Sequence, residues 1–293
     1  MQDQKHEPMK AALWMMGSVI SFTSMAVAAR QVSSELDTFE IMTYRSILGI
    51  IVVMSCAYFA GTISEINTQE LRLHFVRNTI HFTGQNLWFY AVTVITLPQL
   101  FAFEFSVPLW IALAAPFFLA EKLTARRLSA ALIGFLGILI VARPDQIGFG
   151  PGIIAAAMCA ISFTGVGIAT KILTRTQSIT CIMFWLTSMQ AVFGILCAAY
   201  DFKLALPSLH TTPWVILIGF AGLTAHFCIT RALQLAPAII VFPMDFIRLP
   251  LATAIGIVFY YEPFQLSVFF GAGIILIANF LNIKSEQKKS TSF

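Results

Sequence analysis

The chain has 293 residues, of which 58% are hydrophobic and 11% charged, with a net charge of +4 and a mean hydropathy of +0.82. Soluble domains carry roughly 25% charge, so this composition excludes a soluble enzyme or a nucleic-acid-binding module and describes an integral membrane protein. Its small positive excess is informative about topology rather than about an anionic partner.

Apolar stretches long enough to cross a bilayer run near 11–29, 39–60, 76–95, 99–119, 128–142, 152–170, 179–199, 213–233, 238–260 and 264–283. Ten transmembrane helices are therefore expected, with no connection long enough for a soluble domain. Spans three and four are separated only by Thr96-Leu97-Pro98, and eight and nine only by 234–237, so each pair is an antiparallel hairpin. Lys10, the apolar run after it and Ala26-Val27-Ala28 resemble a signal peptide with its cleavage site. A repeat that includes the first span argues against that reading.

The repeat has one constant offset of 141 residues. Ile20-Ser21-Phe22-Thr23 recurs as Ile161-Ser162-Phe163-Thr164, Arg30 matches Lys171, Ile41-Met42 matches Ile182-Met183, Ala91 matches Ala232, Glu121 matches Glu262, and Glu104 falls on Asp245. Five spans followed by five more means that the second copy enters the membrane from the opposite side. The expected fold is all-α, two inverted five-helix repeats over 1–145 and 150–284 with a tail at 285–293. Lysines and arginines mark the cytoplasmic face. With the N-terminus inside, thirteen lie in cytoplasmic segments (Lys5, Lys10, Arg72, Arg77, Lys122, Arg126, Arg127, Lys171, Arg175, Arg231, Lys284, Lys288, Lys289) and three on the other face (Arg30, Arg143, Lys203). Both termini are expected in the cytoplasm, with the basic tail a solvated end near anionic lipid. Small residues at Ala130/Gly134, Gly134/Gly137, Ala156/Ala160 and Gly271/Gly273 are expected to let helices pack closely.

Polar residues inside the spans carry the functional signal, because an intramembrane charge is costly and usually faces a protein interior or a wet cavity. In the third span Arg77, His81, Gln85 and Trp88 are spaced 4, 4 and 3, on one helical face. Arg77 is expected to snorkel at the cytoplasmic edge. For His81 and Gln85, hydrogen-bonded packing and solute contact weigh equally; Trp88 either packs or stacks on a flat solute. Gln85 maps onto His226 of the eighth span. Asp245 and Arg248 lie between Pro243 and Pro250, where the helix should kink or open. They form either a self-neutralising pair or a midplane solute site. Arg45 has only Leu186 as its repeat mate, so it either bridges to Glu104 or Asp245 or serves the solute. Glu104, four residues before Pro108, is a candidate proton-coupling carboxylate, whereas Glu121 and Glu262 read as turn residues at span ends. The five cysteines form no ligand or disulfide pattern, the five histidines show no ligand spacing, and no HExxH, GxSxG, P-loop or dinucleotide-binding turn occurs. Neither an enzyme nor a cofactor or metal is indicated.

The ten-span repeat, the run from Leu113 through Glu121-Lys122-Leu123-Thr124 to Arg143-Pro144, and the second copy through Tyr261-Glu262-Pro263 resemble the EamA-type transporters of the drug/metabolite transporter superfamily. The likeness covers nearly the whole chain, although Glu262-Pro263-Phe264-Gln265 lacks the basic Arg126-Arg127 pair of the first copy. It implies a multi-pass carrier of the bacterial inner membrane that moves a small organic metabolite, such as an amino acid, vitamin or nucleoside-like solute, by alternating access. It names neither solute nor direction. A proton is a candidate coupling ion and a homodimer a candidate assembly. Arg45, His81, Gln85, Trp88, Glu104, His226, Asp245 and Arg248 are the expected solute-binding residues. The competing readings are a channel-like facilitator and a non-transporting scaffold subunit.

Overall fold

The computed structural model describes residues 7–118, 125–142, 150–199, 205–236 and 241–290, and every regular element among them is helical. In chain order these are α1 (Pro8–Val32), α2 (Thr38–Ala60), α3 (Leu71–Val94), α4 (Leu97–Glu104), α5 (Val107–Phe118), α6 (Ala125–Ala142), α7 (Pro151–Leu173), α8 (Ile179–Ala198), α9 (Thr212–Leu235), α10 (Arg248–Tyr260) and α11 (Leu266–Ser290). Five of them, α1, α2, α7, α8 and α9, are long and apolar enough to cross a membrane on their own. Large apolar side chains such as Phe59, Phe117, Leu132 and Phe270 point outward, as a lipid solvent permits.

Local chemistry sets the helix ends. Asp37 caps α2 in a reciprocal box with Glu40, Thr96 caps α4 with Gln99, and Ser178 caps α8. The fourth span is two helices rather than one. Pro108 has no N–H for the Glu104 carbonyl, so the ladder breaks between α4 and α5 and leaves Glu104 at a helix end. In the ninth span a 3₁₀ turn, Phe242–Ile247, precedes α10, and Asp245 sits within it. Both acidic residues thus occupy interruptions of membrane helices. At the far end of α10, Tyr261 adopts a left-handed conformation with φ 53°, which turns the Glu262 amide back onto the Gly256 carbonyl at 3.0 Å.

The helices pair α1 with α9, α3 with α7, α2 with α8, and α6 with α11, while α4 lies against α10. The α6–α11 contact is a backbone approach: a Cβ on Gly137 would come within 2.7 Å of the Gly271 carbonyl oxygen. Gly273, expected to share that role, instead has open space around it. α11 continues through Ser290, so the first residues of the basic end at 285–293 are helical. Glu121, Lys122, Arg143 and Lys203 lie outside the described residues.

Candidate functional site

A cavity of about 80 Å³ lies between α1, α3, α4, α7, α9 and the 3₁₀ turn. That is room for a few water molecules. Its walls follow the 141-residue offset. Phe22 and Phe163, Met25 and Val166, Gln85 and His226, Trp88 and Ile229, Glu104 and Asp245, and Val107 and Arg248 all line it as matched pairs. The remaining lining residues are Arg77, His81, Phe105, Gly167, Thr170 and Leu233. Arg77 near the start of α3, Thr170 near the end of α7 and Leu233 near the end of α9 mark one end of the bundle, toward which the cavity extends. At the opposite end the offset mates Ala26, Ala29, Val92 and Ile218 are buried in the apolar core.

The charged wall is built on the two helix interruptions. Arg248 at the start of α10 donates to Glu104 Oε2 at 2.8 Å and to Asp245, so one guanidinium holds both carboxylates. Its cationic plane also lies 5.1 Å from the Phe22 ring centroid and 4.7 Å from that of Phe101, a favourable placement for a desolvated cation. Trp88 donates its indole N–H to Glu104 Oε1. Trp88 is thus an anchor for the carboxylate as well as a cavity wall. Among the described residues Asp245 Oδ1 and Arg248 Nε have no hydrogen-bond partner.

On the other wall, His81 and His226 meet edge to face with ring centroids 4.6 Å apart. Gln190 of α8 orients His81. Its Nε2 donates to the Asn78 carbonyl at 3.0 Å and lies 3.4 Å from His81 Nδ1. With the amide donating, Nδ1 is the acceptor and the ring proton sits on Nε2. The Nε2 atoms of both histidines and Gln85 Oε1 are buried and, among the described residues, have no hydrogen-bond partner, which is uncommon for buried polar atoms.

Seven of the eight expected residues, His81, Gln85, Trp88, Glu104, His226, Asp245 and Arg248, therefore meet in one cavity. Arg45 does not. It lies in an adjoining cleft with Ser46, Leu186 and Gln190, buried, and among the described residues its one hydrogen-bond partner is Met42 Sδ, 3.6 Å from its Nη1. The expected bridge from Arg45 to Glu104 or Asp245 is not formed, because Arg248 occupies both carboxylates. Arg77 also departs from expectation. It is 1% exposed, does not snorkel, and donates to Thr170 Oγ1 and Asn78 Oδ1, both at 2.9 Å. Only a structure could reveal this, since a cation one turn inside a span looks the same in sequence whether it turns outward or inward. Phe22 and Phe163 were legible as a repeated pair, but nothing in their apolar surroundings marked them as cavity walls.

Two further polar ties obey the offset. Arg30 donates to the Val92 and Ile95 carbonyls, both at 2.9 Å, at the end of α3; Lys171 donates to Leu233 and Ala236 carbonyls at 2.6 and 3.3 Å, at the end of α9. Each acceptor is the other's mate at 141 residues. Arg30 also pairs with Glu262 at 2.5 Å and stacks 4.6 Å from the Tyr260 ring. Glu262, read from sequence as a turn residue, is thereby tied to α1 and accepts from the Leu97 amide at 3.2 Å.

Residues 9–143 match the model of the EamA-like transporter family. Curated relatives include an S-adenosylmethionine uptake transporter of Rickettsia bellii, 26% identical over 276 residues and covering 94% of each chain. A riboflavin transporter of Vibrio cholerae is 26% identical over 292 residues, covering 98% of this chain and 97% of that one. A known crystal structure superposes with a TM-score of 0.68 over 93% of this chain and 96% of the other, at 17% identity, a likeness of fold alone. Residues 9–143 are thus similar to the EamA-like transporter family, and the chain is a multi-pass inner-membrane protein whose curated relatives are transporters rather than enzymes.

Proposed function

We propose that the protein is a secondary transporter of a small organic metabolite, working by alternating access between two inverted five-helix repeats, 1–145 and 150–284, with both termini cytoplasmic. The observation that carries this reading is the lining of the cavity. Its centre obeys the repeat, whereas its extension toward the Arg77 end does not, and the mates of that extension are packed shut at the other end. A twofold-related machine caught open toward one side would have this pattern. The helix pairs support the same reading: the offset exchanges α1–α9 with α3–α7 and maps α2–α8 and α6–α11 onto themselves. With the N-terminus inside, the open end is cytoplasmic. The closed apolar end speaks against a channel, which would need a continuous wet path.

In this reading Trp88, Phe22, Phe163 and the histidine pair surround a flat solute, and Glu104 and Asp245, with Arg248 as their counter-ion, balance its charge and relay a coupling proton. Arg45 contributes its field from behind the histidines. The solutes named for the Rickettsia and Vibrio relatives both contain a planar heterocycle, which suits such walls. Neither fits within about 80 Å³, so loading requires the repeats to separate further. The test is flux in proteoliposomes of purified protein, with S-adenosylmethionine, riboflavin and a metabolite pool as solutes, with and without a pH gradient. Saturable flux that Glu104→Gln and Asp245→Asn each reduce at least tenfold supports the reading. No flux of any solute, or unchanged flux in both variants, overturns it.

A further inference from the structure

The cavity is electrically lopsided along its length. Arg77 and Trp88 lie eleven residues apart on α3, about 16 Å along its axis. At the Trp88 end two carboxylates, Glu104 and Asp245, share one guanidinium, that of Arg248. At the Arg77 end the balance is reversed. Among the described residues Arg77 is bonded only to neutral oxygens, those of Thr170 and Asn78, and no carboxylate lies within ion-pair distance of it. Arg45, a second buried guanidinium without such a partner, lies behind the histidines, in the cleft that Gln190 shares. His81, fully buried and a lining residue of the cavity, carries an Nε2–H that has no partner among the described residues.

Two uncompensated cations and an idle donor in a low-dielectric interior are unfavourable unless something negative joins them. The scaffold does not need them there, since their repeat mates are Leu186, Ile218 and Gly222, none charged. We infer that Arg77 and the His81 Nε2–H form an anion subsite, to which Arg45 adds its field from the adjoining cleft, so that the transported solute carries an oxyanion, a carboxylate or a phosphate, at the end that reaches Arg77. The inference rests on the reading of this cavity as the solute site. A guanidinium fork held by Thr170 leaves its remaining N–H groups for such a group, in the geometry that arginine offers to planar and tetrahedral oxyanions alike.

The test uses full-length protein in nanodiscs at constant ionic strength, with dissociation constants read from tryptophan fluorescence. The probes share one ring: benzoate and phenyl phosphate as anions, benzamide and benzyl alcohol as neutral counterparts. One or both anions should bind saturably and at least tenfold more tightly than the neutral probes, and the better of the two identifies the oxyanion. Arg77→Gln should abolish that preference. Should it fail to fold, Arg77→Lys, which keeps the charge but loses the fork, should retain the preference at a few-fold weaker affinity, and Arg45→Gln should reduce it at least threefold. Neutral probes binding as tightly as anions, no saturable anion binding, or Arg77→Gln keeping the full preference would each overturn the subsite. Solute flux without anion preference would defeat the subsite and leave the transporter reading intact. Anion binding without any flux would do the reverse.

Discussion

Removing Arg248 should expose how the charged wall is held. Its guanidinium is 3% exposed, bonds Glu104 at 2.8 Å and Asp245 as well, and faces two aromatic rings. Arg248→Met leaves two buried carboxylates beside one another with no counter-ion. Breaking a buried pair from one side costs about 3–5 kcal/mol, and the lost ring contacts add about 1 kcal/mol. At about 2–4 °C per kcal/mol, the melting temperature in a single detergent should fall on the order of 10 °C. The triple variant Glu104→Gln, Asp245→Asn, Arg248→Met has no charge left to strand, and the amide oxygen that replaces the Glu104 carboxylate still accepts from the Trp88 indole. It should recover most of that loss while remaining inactive in flux. Intrinsic tryptophan fluorescence follows both melts. If the single and triple variants melt together, the wall is not an interdependent charge cluster and the reasoning fails.

Three further outcomes follow from other contacts. Glu262→Gln weakens the tie to Arg30, which keeps its two carbonyls and the Tyr260 ring, so the loss is about 1–2 kcal/mol; in a cysteine-free background a Val92→Cys reporter, fully buried in the parent, should react about 5–30-fold faster with a membrane-impermeant maleimide, and unchanged labelling would refute a closing role. In the loop after α1, the Thr211 hydroxyl and the Ser208 amide hold the Glu35 carboxyl below its ordinary value of 4.5. Because the folded value is depressed, the tie is fully present above that value and is lost as pH falls below it; hydrogen exchange at Ser208 should quicken only in acid, and Thr211→Val should move the onset up toward 4.5. Finally, Gly137→Val forces a side chain against the Gly271 carbonyl and should part α6 from α11, with a loss of about 1–3 kcal/mol read as a lower melting temperature; a neutral result would mean that this crossing is slack.

Much of this architecture was legible in the chain. The spans follow from hydropathy, because lipid demands long apolar helices, and the offset of 141 linked Glu104 with Asp245 and Gln85 with His226 before any packing was known. What remained hidden was direction. Spacing put Arg77 on a helix face but not toward Thr170, and it gave Arg45 two carboxylate candidates that Arg248 in fact holds. Gln190, which fixes the proton on His81, gave no signal at all, since one amide in an apolar run has many possible partners. The break at Pro108 was foreseeable from its missing N–H; that Ser106 and Phe105 would carry the chain across it was not.

The two rim cations occupy equivalent places but are not the same residue. Arginine grips through a rigid planar fork, here engaging two carbonyls and a carboxylate at once, whereas lysine offers a single mobile ammonium. A shape that is twofold in outline is therefore unequal in adhesion. Under the alternating-access mechanism proposed above, such inequality would give the empty protein a resting preference for one orientation before any gradient acts on it, and exchanging the pair, Arg30→Lys with Lys171→Arg, should reverse that preference while leaving the fold alone.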